Sequence, residues 1–581
     1  MDNVRNERRC DSRRVTKGAA ARIMYAAVLV GAALAVVTLG QKAEAANLWR
    51  DILDFAVGAE PNEVGVAAET PNVEPQGPEA IAADPAGDGL YLLDTVNRRI
   101  YQLSADGQVR SVIDIDAVTQ AVDLAIVDDV FYVLDAAVKR VNAYRPSGEI
   151  VETYEVPEGI ALGGSVRLSI GGLGDIRLSV GGVEARLRPG ERERGAPSEA
   201  LTTRTGDNLL ESTFLRESDR GARLMLEAGG DERLRGGANS IDIETDGYLA
   251  AAELLGVDAQ GHYYLLVEDL AEGAGAFDVR TVVRKYSPSG ELVGTARVPL
   301  ETTDVLPNRF VTVTADGNLY FLQPQASSVK LLRLEFADAA GERARGDAGS
   351  VPTEREDLAV VPEGFEETVR GAYPDQERPR GQITRDEIIR NAESYLNAAW
   401  VLDRPNYEAP GVANRCAPSD GQKWQRPDRQ NGRAADRMTS VPYKWGGYDS
   451  LNGFLGKLEQ GYLAGDVCTC RNADLGYCIT GESAGVDCSG FVSRSLGESY
   501  YTTSSMSKIT KQLADWRDLR PGDILNRAGR HVRLVTGIST EGPLIIETIE
   551  ASKANGSVHR ASYRTSALRN YKPLRYIGVV D

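Results

Sequence analysis

Histidine, cysteine and positive charge are in short supply in this sequence, and each shortage argues against a class of function. The 581 residues include 3 histidines and 6 cysteines, and the formal net charge is −18. A protein that binds nucleic acid needs a basic face, so the acidic balance argues against such a partner. An acidic surface fits a soluble exported protein instead. The length predicts two or three domains.

The cysteines gather in the C-terminal third of the chain, apart from Cys10 near the N-terminus. They are Cys416, Cys468, Cys470, Cys478 and Cys488. Thiols outside the membrane tend to oxidise, so the first four of these can form two disulfides, whose pairing the sequence leaves open. Zinc binding is the alternative, but no histidine lies nearby to complete a site. We therefore expect neither a metal nor a cofactor.

The first 46 residues are expected to direct export rather than to fold with the rest. Basic residues precede an apolar run from Ile23 to Gly40, and Ala43 and Ala45 frame a small-x-small cleavage site. We predict a signal peptide over residues 1–46, or a retained membrane anchor, because the apolar run is just long enough to span a bilayer. The protein is accordingly expected to be extracytoplasmic, in the cell envelope, the periplasm or the medium.

Two segments in the first half of the chain align without a gap. GLYLLDTVNRRIYQLSADGQV begins at Gly89, and VFYVLDAAVKRVNAYRPSGEI begins at Val130. Each reads as a strand ending in Leu-Asp, a turn, a strand with alternating apolar residues, and a polar turn that closes on Gly. Their separation of about 40 residues is the size of a four-stranded propeller blade. Asp94 and Asp135, which recur at the strand ends, are expected to cap turns.

These repeats resemble those of NHL-type β-propellers, over roughly residues 75–336. Stacking blades around an axis buries the apolar face that one blade cannot bury alone. We predict an all-β propeller of about six blades within residues 47–336, with poorly defined blades between about 160 and 250. A central channel is a common ligand site, so the propeller is expected to bind a protein or a glycan.

The composition changes after the repeats. Residues 337–383 are charged, punctuated by Pro and Gly and poor in periodicity, which predicts a linker. Thr384 and Glu387 then form a capping box, which predicts the start of a helix. We expect a second domain to occupy residues 384–581.

A candidate nucleophile lies in the stretch GVDCSGFVSR, residues 485–494. Cys488 comes just before an apolar run that suits a helix, and the first turn of a helix offers unpaired N–H groups and a positive dipole end, which favour a thiolate. The other readings of Cys488 are a packed sulfur and half of a disulfide. His531 begins the β-like run HVRLVTGI and is the candidate base. His559, expected in an exposed turn, is the alternative.

Four motifs occur in the order seen in the NlpC-type family of cell-wall cysteine peptidases, and residues 384–581 resemble that family. The motifs are Tyr443-Lys444-Trp445-Gly446-Gly447, Asp487-Cys488-Ser489-Gly490-Phe491-Val492, Pro521-Gly522-Asp523 and His531-Val532. The resemblance implies an α+β papain-like domain with Cys488 as nucleophile and His531 as base.

The resemblance also implies the residues around the thiol. Tyr443 is implied as a hydrogen-bonding residue near the sulfur. Asp487 and Ser489 are implied at the border of the substrate amine or backbone, and Trp445 belongs to the same substrate-binding set. Enzymes of this family typically cut amide bonds next to D-residues in peptidoglycan stem peptides.

The chain departs from the family pattern at three places. The third catalytic residue is often histidine, whereas this chain offers Glu550 or, as the less favoured alternative, Glu547, which can orient the imidazole. Arg533 replaces a small residue; it either binds a carboxylate or, as we expect, is solvated. Residues 448–484 form a long insertion that can reshape the substrate groove.

The sequence therefore predicts a multidomain exported hydrolase, a propeller of about six blades followed by a papain-like cysteine peptidase or amidase. Its expected substrate is a peptidoglycan stem peptide or a related D-residue amide. Two alternatives stay open. The first is an envelope binding or assembly module whose peptidase domain is inactive, and the second is an amidase that acts on a non-wall substrate.

Overall fold

The computed structural model of the protein describes residues 49–67, 70–85, 87, 89–157, 159–170, 175–180, 183–187, 200–205, 208–228, 237–271, 277–338, 364–372, 381–408, 415–417, 422–469 and 479–581. The predicted signal peptide or anchor and most of the predicted linker lie outside these ranges. Residues 49–581 belong to one compact unit, and the domain boundaries predicted within it stay predictions. No helix of the described residues is both long and apolar enough to cross a membrane.

The first part of the chain is built almost wholly of strands. In chain order they are β1 (Trp49–Val57), β2 (Glu63–Val64), β3 (Ala80–Ala83), β4 (Leu90–Asp94), β5 (Arg99–Leu103), β6 (Val109–Asp114), β7 (Ala121–Val127), β8 (Val130–Asp135), β9 (Arg140–Tyr144), β10 (Ile150–Glu155), β11 (Gly163–Gly164), β12 (Val166–Ile170), β13 (Ile176–Val180), β14 (Val183–Leu187), β15 (Ala200–Thr205), β16 (Asn208–Arg216), β17 (Gly221–Ala228), β18 (Ser240–Glu244), β19 (Tyr248–Val257), β20 (Tyr263–Leu270), β21 (Val279–Tyr286), β22 (Leu292–Arg297), β23 (Val311–Val313), β24 (Leu319–Pro324), β25 (Ser328–Leu334) and β26 (Ala337–Asp338).

These strands form the six blades of a β-propeller. All except β11 belong to six sheets, and the sheets follow one another along the chain. The innermost strands are β3, β7, β12, β15, β19 and β23; each contacts the next, and β23 returns to contact β3. The contacts therefore close into a ring, which confirms the predicted propeller of about six blades.

The two aligned repeats supply the second and third strands of adjacent blades. Strand β4, LYLLD, is buried along its whole length, because neighbouring blades cover both of its faces. Strand β6, at the outer edge of the same blade, is mostly exposed. The apolar Leu-rich strand before each Leu-Asp turn therefore marks the interior of a blade.

The first strand of the propeller belongs to its last blade. Strand β1 pairs antiparallel with β25, so the blade that begins with β23 takes an outer strand from the opposite end of the propeller. Ring closure of this kind joins the first and last repeats and leaves no unpaired terminal blade.

The carboxylates that recur in the repeats cap turns, as expected. Asp94 accepts hydrogen bonds from the main-chain N–H groups of Gly65 at 3.0 Å and Asn97 at 3.1 Å. Asp135 accepts one from the N–H of Thr119 at 2.6 Å. Both carboxylates are buried, and each satisfies main-chain donors at a point where the ladder ends.

The remaining part of the chain mixes helices and strands. The strands are β27 (Ile383–Thr384), β28 (Ala399–Val401), β29 (Arg415–Ala417), β30 (Gln422–Trp424), β31 (Arg437–Thr439), β32 (Leu463–Ala464), β33 (Ser483–Ala484), β34 (Thr510–Gln512), β35 (Ile524–Arg527), β36 (His531–Ser539), β37 (Ile545–Ser552), β38 (Ser557–Tyr563), β39 (Lys572–Tyr576) and β40 (Val579–Val580). The helices are α1 (Phe365–Ala372), α2 (Arg385–Leu396), α3 (Arg404–Tyr407), α4 (Leu451–Glu459) and α5 (Cys488–Ser495).

Helix α2 begins as the capping box predicts. The N–H of Glu387 donates to the Thr384 hydroxyl at 3.2 Å, and the N–H of Thr384 donates to the Glu387 carboxylate at 2.9 Å. The reciprocal bonds satisfy two donors that the first turn would otherwise leave unpaired. Helix α2 packs against α5 and so lies behind the candidate nucleophile.

A seven-stranded sheet positions the candidate site. Its order is β11-β38-β37-β36-β35-β39-β34, and helix α5 packs against β36 and β37. The edge strand β11 comes from the connection between the second and third blades; Gly163 pairs with Ala561 and Gly164 with Ser562, in parallel. The propeller therefore covers one edge of this sheet with its own backbone.

Side chains fix the sheet against the propeller elsewhere as well. The rings of Tyr248 and Trp516 meet edge to face with centroids 4.8 Å apart. The buried carboxylate of Glu268 accepts hydrogen bonds from the hydroxyls of Thr565 at 3.0 Å and Ser566 at 2.6 Å. Because buried polar groups of this kind tolerate little displacement, they hold the sheet in one position on the blades.

Candidate functional site

Cys488 is the first residue of helix α5, as the sequence predicts. Asp487 is the N-cap, and its carboxylate accepts a hydrogen bond from the N–H of Gly490 at 2.6 Å. Gly490 lies against the carbonyl oxygen of Gly447, where a Cβ would overlap it. The Asp-Cys-Ser-Gly order therefore supplies, in turn, the cap, the sulfur and the small residue that lets the helix start approach the Gly446-Gly447 turn.

The Cys488 thiol is free, and its residue is 0% exposed. Burial is the largest influence on its pKa and raises it well above the ordinary value; the neighbouring Asp487 carboxylate raises it further. The N–H groups of Val532 and Ser489 act in the opposite direction without outweighing burial. In this conformation the sulfur is therefore a neutral thiol and not the thiolate that its place on the helix favours.

His531 opens strand β36, and Glu550 lies on the adjacent strand β37. The Nε2 atom of His531 is hydrogen-bonded to Oε2 of Glu550, and both side chains are buried. Burial alone would raise the pKa of Glu550, but the charge of Arg533 and the hydrogen bond with His531 outweigh it and hold that pKa well below the ordinary value. Glu550 is therefore a carboxylate that fixes the ring of His531.

The two candidate carboxylates of strand β37 point to different environments. Glu547 is exposed, whereas Glu550 also accepts a hydrogen bond from the hydroxyl of Tyr563 at 2.6 Å. Only Glu550, of these two residues, reaches His531. His559 lies inside β38 rather than in the expected exposed turn, and its Nδ1 contacts the main-chain oxygen of Ser557 at 3.2 Å.

Tyr443 and Trp445 both lie at the site, in different roles. The hydroxyl of Tyr443 is buried without a hydrogen-bond partner among the described residues, and the Cys488 thiol is close enough to affect its pKa. The indole N–H of Trp445 donates to the main-chain oxygen of Pro71 at 3.0 Å, and its ring packs on Phe365 with centroids 5.1 Å apart. Tyr443 thus presents an unused donor near the sulfur.

Asp487 and Ser489 hold a side chain that comes from the propeller. The amide nitrogen of Asn72 donates to the Asp487 carboxylate at 3.0 Å and to the Ser489 hydroxyl at 2.8 Å. The hydroxyl of Tyr500 also donates to Asp487, at 2.7 Å. Burial raises the pKa of Asp487 to about 6, and the hydrogen bonds from Gly490, Tyr500 and Ser489 act in the opposite direction.

Arg533 is buried, so the expectation that it is solvated is wrong. Its Nη2 lies 2.6 Å from Oε2 of Glu74, and its Nε lies 3.0 Å from Oε2 of Glu550. The guanidinium also lies over the rings of Tyr563 and Tyr571, 4.2 and 4.4 Å from their centroids. Two carboxylates and two aromatic faces replace the water that the charge loses on burial.

Sequence reasoning missed the propeller residues that enter the site. Asn72 and Glu74 belong to the connection between β2 and β3, more than 400 positions from Cys488. The sequence Thr-Pro-Asn does indicate a turn there, because Pro and Asn suit its two central positions. Nothing local, however, indicates where that turn lies in the fold.

The site opens into a cavity of about 390 Å³ between the seven-stranded sheet and the propeller. His531, Glu550 and Tyr443 line one side, and Glu79 and Asn308 line the propeller side. Burial raises the pKa of Glu79 to about 8, against a hydrogen bond from the N–H of Asn308. The cavity therefore joins the imidazole to polar groups at the inner strands of the propeller.

A metal does not suit the acidic groups at this site. Ligand atoms of Glu74, His531 and Glu550 lie within 4.8 Å of one another. The guanidinium of Arg533, however, already contacts both carboxylates and occupies the place of a cation. Adding a divalent ion beside that buried charge would be electrostatically unfavourable.

The insertion at residues 448–484 carries further cysteines and contacts the sheet of the site. Cys468 is disulfide-bonded. The side chains of Cys416, Cys470 and Cys478 lie outside the described part of the chain, so the predicted pair of disulfides stays a prediction. The hydroxyl of Thr469 accepts a hydrogen bond from Lys553, which lies just beyond strand β37, at 3.3 Å. The insertion therefore reaches the sheet that carries Glu550.

Comparisons with known proteins show little likeness. No family model matches the chain, and no curated protein matches it. Virginiamycin B lyase from Staphylococcus aureus is 11% identical with a TM-score of 0.28, over 46% of this chain and 99% of that chain. A member of the DUF4221 family from Bacteroides vulgatus is 10% identical with a TM-score of 0.30, over 50% and 98%. Likeness at this level supports neither a family nor a function.

Proposed function

We propose that this protein is an exported cysteine peptidase or amidase that hydrolyses amide bonds of peptidoglycan stem peptides. Cys488 is the nucleophile, His531 the base, and Glu550 the residue that orients the imidazole. The papain-like, NlpC-type identity of the C-terminal region is part of this proposal. The observation that carries it is the hydrogen bond between His531 and Glu550 on strands that pack against the helix beginning at Cys488.

The arrangement suits nucleophilic catalysis. Because Glu550 engages Nε2 of His531, Nδ1 is the ring nitrogen that can take the proton of the thiol. A low pKa keeps Glu550 ionised, so it stabilises the imidazolium that forms in this step. The neutral thiol of Cys488 therefore needs transfer of its proton to His531 before or during attack.

The reaction then follows the usual course of acyl transfer. The Cys488 sulfur forms a bond to the amide carbonyl carbon, and N–H groups at the start of α5 stabilise the oxyanion. The C–N bond breaks, and His531 gives the leaving amine its proton. Water then attacks the thioester, with His531 as base, and releases the acid and the free thiol. Tyr443 supplies a hydroxyl that can bind the substrate near the sulfur.

The propeller positions the enzyme on its substrate. Its inner strands face the same cavity as His531, so a glycan or protein bound there would lie next to the catalytic groups. The basic and apolar residues of the N-terminus support an extracytoplasmic location, where peptidoglycan is found.

The test compares wild-type protein with Cys488→Ala on purified peptidoglycan. New amino groups and cleaved stem peptides, identified by mass spectrometry, are expected from the wild type only. Release by both proteins at the same rate would exclude Cys488 as the nucleophile. If the wild type leaves peptidoglycan intact but cuts lipid-linked or capsular amides, a non-wall substrate replaces the one proposed here.

The complete burial of Cys488 favours one second candidate, an envelope assembly module without activity. In that case neither protein releases amino groups, and peptidoglycan still binds the propeller in a pull-down. Activity that appears when the site is opened would exclude this candidate.

A further inference from the structure

A turn from the propeller fills the place next to the sulfur. Residues Thr70–Val73 form this turn: the N–H of Val73 donates to the oxygen of Thr70 at 3.2 Å, and Asn72 has a positive φ of 61°. Pro71 and Asn72 therefore occupy the two central positions of a type II turn, which suits both residues. The N–H of Ala67 donates to the oxygen of Gln76 at 2.9 Å and closes the base of the loop.

The tip of this loop contacts the catalytic groups at three points. The main-chain oxygen of Asn72 accepts a hydrogen bond from the Cys488 thiol at 3.5 Å. The Asn72 amide nitrogen occupies the position at Asp487 and Ser489 where the sequence predicts a substrate amine. The oxygen of Pro71 binds Trp445. A carbonyl at the nucleophile and an N–H donor at the amine position are features that a bound substrate would have.

The next side chain supplies a carboxylate. Glu74 binds Arg533 at 2.6 Å and the hydroxyl of Tyr571 at 2.8 Å. The remaining nitrogen of this guanidinium, Nη1, is buried and has no hydrogen-bond partner among the described residues. A guanidinium binds a carboxylate best through two nitrogens, so Glu74 fills this position only in part.

We propose that residues 70–76 are a built-in, substrate-like plug of the active site, and that Glu74 marks a subsite in which Arg533 and Tyr571 bind a free carboxylate of the substrate. This inference rests on the proposed function, since it names the substrate group that the same site recognises. The plug slows the reaction of the wild type without abolishing it, because the thiol is covered and lacks solvent whenever the plug is seated. The turn also explains why the plug itself is not cut: the N–H of Val73 is bonded within the turn, so the Asn72–Val73 amide is not held in an extended form.

The plug is tested by the reactivity of Cys488 in the full chain, without any substrate. Wild type, Glu74→Gln and Asn72→Gly are treated with iodoacetamide, and alkylation of the Cys488 peptide is followed by mass spectrometry. Glycine keeps the positive φ of the turn and removes the Asn72 side chain. Cys488 is expected to be alkylated at least roughly tenfold faster in each variant than in the wild type. This is the factor that loss of one buried or charge-assisted hydrogen bond produces. Glu60→Gln, an exposed residue before the loop, is the matched control and should react like wild type.

Equal alkylation rates in wild type, Glu74→Gln and Asn72→Gly would overturn the proposal of a plug.

The carboxylate subsite is tested with the acetylated and amidated peptide Thr-Pro-Asn-Val-Glu-Pro-Gln, added to Glu74→Gln. This peptide is expected to slow alkylation of Cys488 again. The same peptide with Gln in place of Glu should need a roughly tenfold higher concentration to give equal protection. Protection by the first peptide also shows that the variant is folded. Equal protection by both peptides would overturn the subsite.

The failure of the plug and the failure of the proposed function give different results. If the variants react faster with iodoacetamide but cut no amide, the proposed function fails and the plug stands. If wild type cuts peptidoglycan as fast as both variants, the function stands and the plug fails.

Discussion

The main-chain oxygen of Asn72 lies 3.5 Å from the sulfur of Cys488, although the two residues are 416 positions apart. One comes from the connection that leads into the first blade and the other from the start of helix α5. Their contact removes water from the thiol, and burial is the main reason why the pKa of Cys488 is raised. The propeller therefore contributes to the burial that disfavours the thiolate of the candidate nucleophile.

Tyr443→Phe separates a substrate-binding role from a structural role. The hydroxyl is buried and unpartnered among the described residues, so removing it should leave the free energy of unfolding unchanged or raise it by about 1 kcal/mol. Amide cleavage by a plug-free variant should fall roughly 10-fold to 100-fold, because a hydrogen bond to the reacting substrate is lost. Urea unfolding and release of amino groups measure the two effects.

Tyr500→Phe is the control for that substitution, because the Tyr500 hydroxyl does bind Asp487 and Ser489. It should lower the free energy of unfolding by about 1–2 kcal/mol. If Tyr443→Phe destabilises the protein as much and leaves cleavage unchanged, Tyr443 is a core residue only.

Glu550→Gln tests the orientation of the imidazole. The amide keeps the size of the side chain but loses the charge that stabilises an imidazolium at His531. We expect kcat to fall by roughly 10²–10⁴-fold, as when a buried carboxylate behind a catalytic histidine is neutralised. Glu547→Gln, on the same strand but exposed, should retain wild-type kcat. Equal losses in the two variants would count against the assignment of Glu550.

Asp487 is expected to make stability depend on pH. Its pKa is raised from 3.8 to about 6 in the folded protein by burial, so the folded state binds the proton more tightly than the unfolded state. The stability that protonation contributes is present below about pH 4 and is lost as the pH rises through 6, by about 3 kcal/mol at most. Asp487→Asn retains an N-cap side chain and should remove this dependence. Urea unfolding at about pH 4.5 and about pH 7 measures how much the free energy of unfolding changes with pH in each protein. If that change is the same in Asp487→Asn as in the wild type, the pH dependence belongs to other groups.

Gly164→Ala tests the docking of the propeller backbone on the sheet. Gly164 has φ +83°, and a Cβ there would overlap the carbonyl oxygen of Ser562. We expect a loss of stability of about 2 kcal/mol or more, from strain and a disturbed β11–β38 pairing. Gly159→Ala, where a Cβ meets nothing within 4 Å, is the matched control and should change stability by less than about 0.5 kcal/mol. Similar thermal midpoints for both variants would show that β11 contributes little to docking.

The sequence predicts elements well where a local pattern carries the information. The Leu-Asp turns at Asp94 and Asp135 recur because each must cap a strand end, and the capping box at Thr384 depends on residues three apart. The start of helix α5 at Cys488 agrees with the apolar run that follows it, and the structure adds Asp487 as the cap. The sequence is weaker at Arg533, where an exposed side chain was expected, because one of its two carboxylate partners comes from an adjacent strand and the other from the connection between β2 and β3.

The sequence by itself determined the propeller repeats, the helix start at the thiol and the β-like run that begins at His531, because each depends on neighbours within a few residues or on a regular spacing. Only the tertiary structure decided that Glu550 rather than Glu547 meets His531, and that a turn at Asn72 covers Cys488. The first contact depends on which face of strand β37 each carboxylate points to, and the second joins segments from opposite ends of the chain. No local pattern encodes the orientation in which a six-bladed ring and a seven-stranded sheet pack together.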